Sequence, residues 1–171
     1  MKVTATHEET IRTIKEAELE IAEITLLSAK EAGSLLTEKQ GLSDSYWWLR
    51  SPGNYPDCAA YVDCGGKVRA GGTDVDNIDF GVRPALRFSN PESSNLVPGD
   101  SFEAGGERWT IIDDNLALCD RIIEKSVFRT DTNAPDANDY EKSDVKTWLE
   151  NWALEKGIYT TAQLEQMQGR A

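Results

Sequence analysis

Residues 54–80, NYPDCAAYVDCGGKVRAGGTDVDNIDF, hold most of the side chains whose type and spacing could do chemistry. Asp74, Asp76, Asn77 and Asp79 invite a calcium reading. An EF-hand loop needs D-x-[DN]-x-[DN]-G and a Glu at its twelfth place. Here Phe80 separates Asp79 from Gly81 and no Glu falls in register, so these residues read as a turn with solvated carboxylates. Cys58 and Cys64 could be free thiols, a disulfide, metal ligands or a redox pair. No His or further Cys completes a zinc set, which favours free thiols. Cys119, within LALC, reads as a core residue. His7 is the only His and lies in a charged stretch, where no Ser–His–Asp or Cys–His pair can be built around it. No glycine-rich segment follows a strand and opens a helix, so a phosphate loop is not expected either. The residues therefore predict no catalytic centre, no metal site and no cofactor.

Bulk properties narrow the partner class. The chain has 171 residues, the size of one domain, so a single domain over residues 1–171 is expected. Its net charge is -12, which repels phosphate backbones and disfavours nucleic acid. No run approaches the roughly 18 apolar residues that span a bilayer, so no membrane insertion is expected. The opening MKVTATHEETIRTIKE lacks the apolar core of a secretory signal. Cytoplasmic synthesis follows as the expectation, with a virion or cell-surface destination open.

The elements that must position residues 54–80 can be read in order. Residues 4–21 carry scattered apolar positions and predict a helix capped at Thr4 or Thr6. ITLLS (24–28) is strand-like, and S-A-K-E then forms a capping box at Ser28 and Glu31 for a helix over about residues 29–36. Residues 37–45 read as polar loop, and Tyr46, Trp47, Trp48 and Leu49 as core. Residues 59–63 and 67–70 predict short strands, with Gly65–Gly66 and Gly71–Gly72 as turns. GVRPALRF (81–88) closes the region, and Pro84 argues for a sheet edge or bulge. Residues 89–98 have linker composition. Two strands, 107–112 and 116–122, are joined by Asp113, Asp114 and Asn115. Residues 129–142 read as loop. Ser143 caps an amphipathic helix over 144–156 with Val145, Trp148, Leu149, Trp152 and Ala153 on its core face, ended by Gly157. A last short helix starts at Thr160 or Thr161. Helices and strands are segregated without βαβ alternation, which predicts an α+β fold.

WWLRSPG (47–53) followed by GVRPAL (81–86) resembles a bacterial and phage domain family of C-type-lectin-like fold, the group that includes formylglycine-generating enzymes and the variable proteins of diversity-generating retroelements. In those variable proteins the diversified positions are AAY codons copied with errors at adenine. Such codons can yield fifteen residue types but never Glu, Gln, Lys, Met or Trp. Between Asn54 and Phe80 only Lys67 lies outside the allowed set. The resemblance implies Ala59, Ala60, Val62, Gly66, Val68, Gly72 and Val75 as scaffold. It implies Tyr55, Asp57, Cys58, Tyr61, Asp63, Cys64, Arg69, Thr73, Asp74, Asp76, Asn77, Ile78, Asp79 and Phe80 as a variable ligand-binding surface.

The order of segments departs from that family. Residues 1–88 are similar to its usual C-terminal half and residues 99–171 to its usual N-terminal half, as in a circular permutation. Joining Phe88 to Phe102 is then expected to close a hairpin-like connection. The implied function is recognition of a protein or cell-surface ligand, by a monomer or a half-swapped dimer. Two other readings remain: a fixed structural or adhesion module of a phage tail or cell surface, and an oxidase of the formylglycine-generating type using Cys58 and Cys64. Arg50 and Arg83 are expected in structural pairs.

Overall fold

Short apolar runs punctuated by glycine and Asx turns favour strands over long helices, and the computed structural model is built accordingly. It describes residues 2–4, 18–89 and 97–169. The strands are β1 (Lys2–Thr4), β2 (Glu18–Thr25), β3 (Trp47–Pro52), β4 (Cys58–Val62), β5 (Val68–Asp74), β6 (Gly81–Val82), β7 (Ala85–Phe88), β8 (Ser101–Ala104), β9 (Glu107–Asp113), β10 (Leu116–Cys119) and β11 (Glu124–Lys125). The helices are α1 (Ala29–Leu35), α2 (Glu38–Gly41), α3 (Asp144–Glu155) and α4 (Thr161–Gly169). The protein is mixed α/β, mostly strand, with curled, largely antiparallel sheets. Among the described residues no helix is long and apolar enough to cross a membrane.

Contacts divide the chain into two interleaved units. The first, residues 1–24, 85–120 and 150–171, carries a six-stranded sheet in the order β1-β2-β7-β10-β9-β8. The sheet curls until β1 lies against β8, so its two edges meet. Phe88, Phe102, Trp109, Leu116 and Leu118 are buried there, and the Trp109 indole N–H donates to the Ala104 carbonyl at 3.0 Å. Tyr159 is buried as well; burial pushes its hydroxyl pKa up, and the hydroxyl donates to the Glu150 carbonyl. The second unit, residues 25–84 and 121–149, carries a five-stranded sheet in the order β11-β6-β3-β4-β5.

Several expectations change. Thr4 belongs to β1 and residues 18–21 to β2 rather than to one helix over 4–21; Thr6 and His7 lie outside the described residues. Pairing decides the matter, since the Glu20 carbonyl accepts the Ser89 N–H and sheet hydrogen bonds outweigh a weak helical pattern. Leu26 and Leu27 follow β2 as buried irregular chain instead of continuing a strand. The loop expected over 37–45 contains α2, whose Thr37 and Gln40 form a second capping box. β7 and β8 do not pair as a hairpin: β2 and β10 occupy both edges of β7, and Phe88 meets Phe102 only through ring contact at 5.8 Å. β5 continues through Gly71 and Gly72, which lie in a bulge of the strand and not in a turn. β10 stops at Cys119 rather than running to 122, although the Asp120 N–H still reaches the Arg108 carbonyl in the register of the ladder. The loop over 129–142 holds a 3-10 turn at Tyr140–Lys142.

Other expectations stand. α1 has its Ser28–Glu31 capping box. Ser143 Oγ accepts the Lys146 N–H at 3.1 Å, and Gly157 ends the segment after α3 at φ +71°. Val145, Leu149, Trp152 and Ala153 are buried, with Trp148 half-buried. Thr160 and Gln163 cap α4 reciprocally.

Candidate functional site

The frame of the five-stranded sheet comes from the two apolar motifs. Trp47, Trp48 and Leu49 on β3 have no exposed surface. An indole buried in this way must still satisfy its N–H. That of Trp48 donates to the Ser126 carbonyl at 2.8 Å, and that of Trp47 to the Gly41 carbonyl at 3.4 Å. Arg83, 5% exposed, stacks its guanidinium 5.0 Å from the Trp47 ring centroid and donates to the Gln40 carbonyl at 2.6 Å. Arg50 donates to the Leu26 carbonyl at 2.7 Å and to Glu31 Oε1 at 2.6 Å. Glu31 thereby ties the α1 cap to β3. Both arginines are structural, as expected.

Pro84 lies where β6 in one sheet gives way to β7 in the other, a break that needs no ladder N–H. Gly53 has no room for a side chain: a Cβ would fall 2.5 Å from the Gly71 carbonyl oxygen. That close approach lets the Asn54 N–H reach the same carbonyl at 2.9 Å.

On this frame β4 and β5 form a hairpin across a bulge between Ala59 and Tyr61. Its tip is organised by Asp63. Oδ1 accepts the N–H groups of Gly65 and Lys67 at 3.0 Å, and Oδ2 accepts Arg69 Nε at 2.9 Å. The Lys67 N–H leads the effects that hold the Asp63 carboxyl below its usual range, with Arg69 adding to it. Asp63 and Arg69 thus shape the hairpin, while Cys64 stands exposed in its turn. Val68, a scaffold position by the resemblance, is half-buried.

Tyr61, paired across the ladder with Arg69 and Trp48, starts an aromatic array. Its ring lies 4.7 Å from Phe80 and 5.6 Å from Tyr46, and Tyr46 lies 5.1 Å from Phe80. Trp48 and Phe128 continue the stack inward. Tyr46 is 41% exposed rather than a core residue, since it precedes β3 and caps the array at the surface. Phe80 is 4% exposed and supports the array from beneath.

The segment before Phe80 carries the remaining candidates. Val75 is buried and pinned by its own backbone: its N–H donates to the Asp57 carbonyl, and its carbonyl accepts from Phe128 and Arg129. Asp76, Ile78 and Asp79 are exposed, Ile78 at 71%, while Asn77 Oδ1 accepts the Asp79 N–H in an Asx turn. The Ser45 hydroxyl donates to the Asp79 carbonyl, which brings this loop beside Tyr46. Thr73 is half-buried on β5, and Tyr55 is 68% exposed in the loop before β4.

Cys58 begins β4 as a buried thiol, not as part of the exposed surface that the resemblance implied. It forms no disulfide with Cys64. Its sulfur lies 3.6 Å from Asp57 Oδ1 and 3.8 Å from Asp74 Oδ1. Burial, reinforced by both carboxylates, pushes its pKa up to about 11, so the thiol is protonated at neutral pH. Asp57, Cys58 and Asp74 bring three donor atoms together, a grouping the sequence spacing did not reveal because β4–β5 pairing creates it.

An open groove of about 450 Å³ is lined by Arg50, Ser51, Pro52, Asn138, Asp139, Tyr140 and Glu141. Asn138 also donates from its amide to the Tyr55 carbonyl at 3.0 Å, steadying the loop that carries Tyr55. Sequence reasoning missed Tyr46 and Asn138 as neighbours of the candidate surface. Tyr46 had a signal in its position flanking the Trp pair; Asn138 had none, being 83 residues from its partner. No family model, curated protein or solved structure matches the chain.

Proposed function

We propose that the chain is a non-enzymatic ligand-binding domain of C-type-lectin-like fold in permuted order, the variable protein of a diversity-generating retroelement in a bacterium or phage. One coincidence carries the reading. The stretch restricted to AAY-type outcomes, residues 54–80, is also where buried Ala59, Ala60, Val62 and Val75 alternate with exposed Tyr55, Cys64, Arg69, Asp74, Asp76, Ile78 and Asp79. A frame of buried Trp47, Trp48, Leu49, Val82 and Arg83 can hold such a surface while its residues change. Tyr61 and Tyr46 supply rigid aromatic area, and the Asp and Asn side chains supply adaptable hydrogen bonds, as in antibody loops. Buried Cys58, and half-buried Asp63 paired with Arg69, then act as supports rather than contacts. The protonated, buried Cys58 speaks against thiol-oxidising chemistry, which needs a reactive thiolate.

Sequencing the locus and many isolates tests the proposal. The expected result is a reverse transcriptase and a near-identical template repeat nearby, with substitutions concentrated at the exposed positions of residues 54–80. Absence of both elements, or substitutions spread evenly over the chain, overturns it. The partner is a protein or cell-surface ligand; light scattering distinguishes a monomer from a half-swapped dimer.

A further inference from the structure

We infer that the Tyr46–Tyr61 face takes a basic protein segment, with a Lys or Arg side chain laid over the tyrosine rings beside the acidic loop that precedes Phe80. The inference rests on the ligand-binding reading above and names the chemistry of the partner.

The ring pair is the apolar element of the surface. Tyr46 and Tyr61 lie 5.6 Å apart, both packed on the buried Phe80 ring, so their orientation is set before any partner arrives. Preorganised rings lose little side-chain freedom on binding, which makes them suitable anchors. Ile78, 71% exposed, adds apolar area in the same loop as Phe80.

Exposed carboxylates gather in the segments beside the rings. Asp44 precedes Tyr46 by two residues, and Asp76 and Asp79 stand exposed in the loop that leads into Phe80. The Ser45–Asp79 hydrogen bond holds the backbone of that loop against the segment that leads through Tyr46 into β3. The cation nearest in register, Arg69 opposite Tyr61, is engaged by Asp63 at 2.9 Å. That cation is therefore already paired; Lys125, exposed on β11, stands opposite Gly81 on the far side of β6, while Asp76 and Asp79 are exposed in the loop. An aromatic face with a negative rim attracts a guanidinium or ammonium twice over, through the ring quadrupole and through charge. An acidic partner surface would be repelled, and an uncharged one would leave the rim carboxylates uncompensated.

The test uses the full chain labelled with ¹⁵N and two eight-residue probes, one of Arg, Lys and Gly and its counterpart of Asp, Glu and Gly. Binding of the basic peptide alone, with amide shifts centred on Tyr46, Tyr61 and residues 76–80, is expected. Because the whole chain carries a charge of -12, any polycation will be attracted to some degree. Tyr46→Leu separates the two effects, since it leaves the charge unaltered at an exposed position. The expected loss is roughly three- to thirtyfold in affinity, the span of a cation–π contact. D76N/D79N should weaken binding further and flatten its salt dependence, whereas Glu103→Gln, exposed on β8, should change nothing. Unchanged affinity in Tyr46→Leu, shifts scattered over the acidic surface, or equal binding of the acidic peptide each overturns the inference. None of those results bears on whether a template repeat and reverse transcriptase flank the gene, so the two readings fail separately.

Discussion

Gly72 lies inside β5 at φ +81°, beside the bulge that aims Tyr61 at the aromatic array. Replacing it with alanine should be among the most damaging single changes in the second unit. Two effects add. A non-glycine residue in the left-handed region costs about 1–2 kcal/mol. In addition, the new Cβ would fall 2.5 Å from the Ala59 carbonyl oxygen and 2.7 Å from the Ala59 carbon. That neighbour is backbone held in the β4–β5 ladder and cannot rotate away. Relief requires moving one strand, with a further loss of roughly 1–3 kcal/mol from overpacking and disturbed hydrogen bonds. The expected destabilisation is about 2–5 kcal/mol, a large part of a typical domain's stability. Gly106→Ala provides the reference: Gly106 has φ +78°, yet a Cβ there meets nothing within 4 Å. It should lose only the backbone part, about 1–2 kcal/mol. Urea unfolding followed by tryptophan fluorescence, with amide exchange at β4 and β5, measures both. If Gly72→Ala costs no more than Gly106→Ala, the close β4–β5 approach described above is wrong.

Thiol labelling with an aromatic disulfide at pH 8 should modify Cys64 rapidly and leave the buried Cys58 and Cys119 unreacted until the chain unfolds; rapid reaction of two or more thiols would contradict their placement. Asp63 has a folded pKa below its usual 3.8, so its contribution to the hairpin is present above the unfolded value and lost as pH falls through the folded one. A carboxyl carbon NMR titration should find its midpoint below 3.8 and shifted upward in Arg69→Ala. Arg83→Ala removes a buried cation from the Trp47 ring and the Gln40 carbonyl, and should destabilise by about 2–4 kcal/mol in thermal unfolding. Ser143→Ala should cost about 1 kcal/mol, the usual value of an N-cap; an unchanged midpoint would dismiss that cap.

Local chemistry was legible wherever a few adjacent residues decide the outcome. The Ser28–Glu31 capping box, the Ser143 cap, the apolar stripe of α3 and the Gly66 turn all depend on neighbours within four or five positions. So did the burial of Trp47, Trp48 and Leu49, which no surface could accommodate together. The α2 capping box was equally local, at Thr37 and Gln40, but four helical residues give too little periodicity to stand out from a polar loop.

Pairing between distant segments lay beyond that reach. Residues 18–25 became a strand because Ser89 and its neighbours supply the ladder. Gly71 and Gly72 stayed within β5 because Ala59 backs directly onto Gly72. Glycine pairs read as turns in isolation, yet glycine also admits close backbone contact, and only the partner strand tells the two uses apart.

The candidate surface divides in the same way. Composition alone marked residues 54–80 as glycine-rich, low in Lys and free of Glu, and so set them apart from the rest of the chain. Tertiary structure decided which of them meet solvent. It buried Cys58 and Phe80, tied Asp63 to Arg69, and brought Tyr46 and Asn138 to the candidate region from outside the stretch. A residue's type follows from its codon, whereas its exposure depends on what packs over it, and those atoms come from elsewhere in the chain.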